Sequence, residues 1–162
     1  MVSPLKQIQA SLRISWKEGI AAAVMGAIID YYLIPYGLFM GATVQEIGFL
    51  VSLPHLLASM SQLHAVRAVQ WAGSRLRFLV VTTAIQGALL IPMSLVSFFP
   101  FRGRILILIA AMILFRIVGN FIATAWGSLT SDYLPANKRG IYFGSRAQAV
   151  GLAGVATLGI AG

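Results

Sequence analysis

The chain has 162 residues, no cysteine and a formal net charge of +8, with 59% hydrophobic residues, 10% charged residues and a mean hydropathy of +0.86. That balance lies far from soluble domains and predicts an all-α integral membrane protein. Without cysteine there are no disulfides or thiolate metal sites, and two isolated histidines, His55 and His64, do not make a zinc site, so no metal or other cofactor is expected.

A polar segment, residues 1–17, opens the chain, and residues 18–162 read as one transmembrane domain. A helix crossing a hydrocarbon core of about 30 Å needs roughly 20 apolar residues. Apolar runs of that order predict helices at about 19–43, 46–65, 78–101, 104–131 and 146–162, together a multi-helix transmembrane bundle. No run alternates apolar and polar residues for long, which excludes a β-barrel pattern. The first apolar run is too long for a removable signal peptide and is expected to act as its own insertion signal.

Lysine and arginine flanking short loops stay on the cytoplasmic side. Lys6, Arg13, Lys17, Arg67, Arg75, Arg77, Lys138, Arg139 and Arg146 fall on the side of the N-terminus, against Arg102 and Arg104 opposite. The N-terminus is therefore expected in the cytoplasm, with the lipid bilayer as the first partner. Membrane topology accounts for the positive charge, which is dispersed over short connectors, so no nucleic-acid partner is expected.

Ionisable residues inside the spans carry sharper information, because a charge near the bilayer centre costs about 2.5 to 3.5 kcal/mol on insertion scales. Asp30 lies halfway along the first run and shares a helical face with Gly19, Ala22, Ala23, Gly26, Gly37 and Gly41. A face lined by such small residues, with a Gly-x-x-x-Gly pair at Gly37 and Gly41, is expected against protein or water rather than lipid. Arg116 in the fourth run is the natural counter-charge, followed on a similar face by Asn120, Ala123, Thr124 and Gly127. The second run adds Ser52, His55, Ser59 and Gln62, and the third adds Thr82 and Gln86.

Four helices that each offer a polar stripe to a common interior describe a hydrated pathway or central binding site. Asp30, Arg116, His55 and Asn120 are the candidates for substrate binding or proton coupling. A structural Asp30 to Arg116 ion pair is the competing reading. For Ser52, Ser59, Thr82 and Gln86 the competing reading is hydrogen bonding between helices, worth about 0.6 to 2 kcal/mol each. His55 follows Pro54 and fits either a proton site or a helix bend. The four acids, Glu18, Asp30, Glu46 and Asp132, are scattered along the chain, so no enzyme is expected.

The connector Asp132-Tyr-Leu-Pro135-Ala-Asn-Lys-Arg139-Gly140, continued by Tyr-Phe-Gly-Ser-Arg146, resembles the connector after the fourth helix of major facilitator superfamily transporters. Gly73, Arg75 and Arg77 are similar to the basic end of that family's signature between the second and third helices. Val66 and Gln70 stand where its first glycine and its aspartate would be. Arg116 resembles the arginine of the fourth-helix motif, although Gly119 follows it after three residues instead of four. The likeness covers about residues 15 to 162.

The resemblance implies a secondary transporter built of two six-helix halves, with a substrate site near the bilayer midplane. The chain would then be part of the N-terminal half of a carrier in a bacterial inner membrane, completed by its missing remainder or by self-association. Gly73, Arg75, Arg77, Asp132, Arg139 and Gly140 would form its cytoplasmic gate, and the small-molecule substrate is left open. Two other classes remain at this stage: a small oligomeric multidrug-type carrier using Asp30, and a non-transporting membrane subunit or remnant.

Overall fold

The computed structural model describes the backbone of residues 4–99, 103–133 and 136–161, and the side chains of residues 14–99, 103–129 and 139–160. All regular structure among them is helical: α1 (Pro4–Phe39), α2 (Val44–Trp71), α3 (Arg75–Leu95) ending in a 3-10 turn (Val96–Phe98), α4 (Arg104–Tyr133) and α5 (Ala136–Ala161). Four stretches, Ile14–Phe39, Val44–Trp71, Arg75–Phe98 and Arg104–Leu129, are long and apolar enough to cross a membrane. The glycine- and alanine-rich α5 is not among these four.

Helix ends differ from the apolar runs wherever polar residues are themselves good helix formers. α1 extends back through Lys6, Gln7 and Arg13 to Pro4, since helix propensity does not stop where hydropathy does. α5 also begins before its apolar run, despite Gly140 and Gly144, and takes in Arg139 and Arg146, so most of the basic connector is helix rather than loop.

α1 stops at Phe39 because Gly41, at φ +80°, turns the chain out of the helix. The Gly41 amide donates to the Leu38 carbonyl at 2.8 Å and the Ala42 amide to that of Gly37 at 3.0 Å, the paired bonds of a Schellman motif. The Gly37 and Gly41 pair is thereby split. Gly37 stays on the helix, where an added Cβ would meet Ile47 at 2.8 Å, and Gly41 makes the turn.

α2 opens at once with a capping box: the Glu46 amide donates to Thr43 Oγ1 at 3.3 Å, and the Thr43 amide donates back to Glu46 Oε2 at 2.8 Å. Gly73, at φ +67°, makes the next turn, and Ser74 caps α3 by accepting from the Arg77 amide.

The chain divides into two compact units, one formed by Met1–Pro35 with Thr130–Gly162 and the other by Tyr36–Leu129. In the second unit α4 carries more of the described buried residues than any other helix, among them Leu108, Met112, Phe115 and Ala125. α2 turns Leu50, Pro54, Ala58, Ala65 and Val69 inward at steps of four, four, seven and four, the repeat of one helical face. In the first unit, Gly19 and Leu33 are the buried residues among the described side chains of α1.

Candidate functional site

In the unit 36–129, polar side chains on α4 and α3 join the helices through backbone carbonyls. Asn120 Nδ2 donates to the Ala58 carbonyl of α2 at 2.7 Å, and that carbonyl also accepts from Ser61 Oγ at 2.6 Å. Gln86 Nε2 on α3 donates to the Phe115 carbonyl of α4 at 3.4 Å, beside Gly119, whose missing side chain leaves room for the amide. Thr82 is buried and keeps its hydroxyl on its own helix, donating to Phe78 at 2.7 Å. Gln86 and Asn120 thus act as bridges between helices, whereas Thr82 does not.

The second-helix stripe has a different fate. Ser52, His55, Ser59 and Gln62 are all exposed and lie to one side of the packed face set by Leu50, Pro54 and Ala58. Ser52 donates to the Gly48 carbonyl at 2.7 Å and Ser59 to the His55 carbonyl at 2.8 Å, so both hydroxyls are held within their own helix. The stripe opens outward instead of meeting its neighbours. A polar stripe on a membrane-crossing helix needs water or protein over it, because hydrocarbon cannot satisfy it.

Arg116 is half-buried on α4, with its Nε fully enclosed. Asp30 belongs to the other unit, where it is exposed on α1. Among the described residues there is no cluster of three or more metal-ligating His, Asp or Glu side chains.

At the α2–α3 turn, Gly73, Arg75 and Arg77 are exposed, and Arg75 Nη1 donates to the Ser128 carbonyl of α4 at 3.4 Å. Arg139 and Gly140 are exposed on α5. Asp132 lies within α4 by its backbone, but its side chain is outside the described residues, as are Pro135 and the side chain of Lys138.

Three contacts had no counterpart in the sequence reading. Arg146 Nη2 on α5 donates to Glu18 Oε2 on α1 at 3.3 Å, and Nε donates to the Ser15 carbonyl at 3.5 Å. Its guanidinium lies over Gly19, where an added Cβ would clash with Nη2. In the other unit the Tyr36 hydroxyl donates to the Met93 carbonyl at 2.8 Å, close to the end of α3. Arg104, at the start of α4, donates to the Met40 carbonyl, which tops the last turn of α1. The one signal available for the Arg146 contact was the rarity of acids: Glu18 is one of four in a chain with twelve cations.

No family model matches the chain, and neither a curated protein nor a solved structure shows significant similarity to it.

Proposed function

We propose that the chain is part of a secondary membrane transporter of the major facilitator type, which moves a small solute by alternating access. The observation that carries this reading is the outward-facing stripe Ser52, His55, Ser59 and Gln62 on α2, a helix apolar enough to cross a membrane. A passive anchor has no use for four polar residues aligned on an exposed face. A solute pathway does, with its opposite wall supplied by further helices of the carrier or by a second copy.

The resemblance of the Asp132 to Arg146 connector to that superfamily adds the family, and the exposed Asp30 adds a carboxylate able to bind a cation or a proton. In this reading His55 and Asp30 are the exchanging groups, and Asn120 fixes the helix behind the stripe through Ala58. The membrane is taken as a bacterial inner membrane with the N-terminus in the cytoplasm, from the distribution of lysine and arginine.

Because the chain has no native cysteine, single cysteines report cleanly. Cysteines at Ser52, Ser59 and Gln62 are expected to react with a membrane-impermeant thiol reagent in proteoliposomes, while those at Leu56 and Met60 stay protected. Equal protection at all five positions would remove the aqueous pathway and with it the transporter reading.

A further inference from the structure

The exposed apolar face of α2 does not end where the hydrophobic run ends. Leu56, Met60 and Leu63 are exposed, and at steps of four, three, four and four the line continues into Arg67 and Trp71, with Trp71 91% exposed. These steps keep all five on one side of the helix. α2 has 28 residues, and at about 1.5 Å per residue its length exceeds the roughly 30 Å of hydrocarbon, so its last turns reach the headgroup layer.

Trp71 stands where an indole, apolar in body and polar at one edge, is most at home. Arg67, one turn earlier, has a stem long enough to lie along apolar surface with its head in the polar layer. The three-residue turn Ala72 to Ser74 then leads into α3, whose first turn holds the exposed Arg77 and no acid. Residues 47–129 contain no carboxylate at all, so Arg67 and Arg77 meet no acid within the hairpin past Glu46.

A small inorganic anion would need the arginines alone. The apolar line leading up to them fits a molecule that carries an acyl chain below its negative charge. We propose that this end of the α2–α3 hairpin binds an anionic phospholipid, with an acyl chain along Leu56, Met60 and Leu63 and the phosphate held by Arg67 and Arg77. Trp71 sits at the level of the headgroup. The surface depends on the chain crossing a bilayer and not on any transport activity.

The test uses the full chain with Trp16 and Trp126 replaced by phenylalanine, so that Trp71 alone emits. It is reconstituted in bilayers of phosphatidylcholine with a minority of phosphatidylglycerol, with bromine on the acyl chains of one lipid or the other. Brominated phosphatidylglycerol is expected to quench Trp71 more strongly at equal mole fraction, with a preference of about fivefold per arginine. R67Q/R77Q is expected to abolish that preference while keeping its helical circular dichroism.

Equal quenching by the two lipids, or an unchanged preference in R67Q/R77Q, would overturn the proposal. So would displacement of the lipid by inorganic phosphate at matched concentration, which would mark a site for the phosphate alone. If the tryptophan variants do not fold, lipid retained by the wild-type chain in native mass spectrometry makes the same comparison, again against R67Q/R77Q.

Discussion

Arg146 donates to Glu18 at 3.3 Å across the buried Gly19, and so ties α5 to α1 at a point where the two helices are 128 residues apart in sequence. The arginine side chain is 17% exposed and the glutamate 38%, so solvent screens the pair from one side only. A second bond, from Nε to the Ser15 carbonyl, fixes the plane of the guanidinium. The contact has the form of a clamp: one cation engages a carboxylate and a backbone carbonyl on the same helix and covers the glycine next to the carboxylate.

Glu18→Gln and Arg146→Gln should each destabilise the unit by about 1 kcal/mol, the upper part of the range for partly exposed pairs. The double variant should lose little more than the worse single, because either change already breaks the pair. Thermal unfolding in detergent, followed by circular dichroism, measures the cycle. Strictly additive losses would mean that the two residues do not interact.

Gly19→Ala should change sign with its background. In the wild type the new methyl displaces the Arg146 guanidinium and weakens the clamp. In an Arg146→Ala chain nothing is displaced, and the substitution should stabilise α1 by up to about 1 kcal/mol through helix propensity. The same unfolding measurement in both backgrounds decides it, and a loss of equal size in both would show that the guanidinium is not what fills the space.

Asn120→Ala removes the 2.7 Å bond between α4 and α2 and should cost about 0.6 to 1.7 kcal/mol, the span measured for such bonds between membrane helices. Gln86→Leu removes a longer bond, 3.4 Å, and should cost less than Asn120→Ala. Denaturation in mixed micelles ranks the two, and the opposite ranking would contradict the geometry.

Thr43→Ala should cost about 1 kcal/mol by opening the capping box of α2. Gly41→Ala should cost about 1 to 2 kcal/mol, since φ +80° crowds a Cβ against the following carbonyl. Hydrogen exchange at the first amides of α2 should rise in Thr43→Ala and stay unchanged in Arg77→Gln, which lies on α3, beyond the far end of α2.

The first four helices were legible because each rests on a long apolar run, and hydropathy needs no knowledge of neighbours. Their ends were not. Lys6 to Arg13 and Arg139 to Arg146 are polar yet helical, so a rule based on apolar runs starts α1 and α5 too late. Gly41 fell on the small-residue stripe by spacing, but its role is set by a dihedral angle that spacing does not encode. The polar stripe of α2 was visible as a pattern, whereas its direction depends on which face Leu50, Pro54 and Ala58 bury. Gln86 and Asn120 could be singled out as polar residues in apolar runs, but not the carbonyls they would find. The partnership of Glu18 with Arg146 is a product of tertiary structure alone.

Everything that shapes the turn between α1 and α2 is close at hand in the chain. Gly37 fits against Ile47 and Leu50, Gly41 reverses the path, and Thr43 and Glu46 close the start of the second helix. During synthesis, then, this corner needs nothing beyond Leu50 to take its turn, and the later arrival of Met93 at the Tyr36 hydroxyl and of Arg104 at the Met40 carbonyl ties it to α3 and α4. The corner is available as a finished edge against which the following helices can be laid down in order.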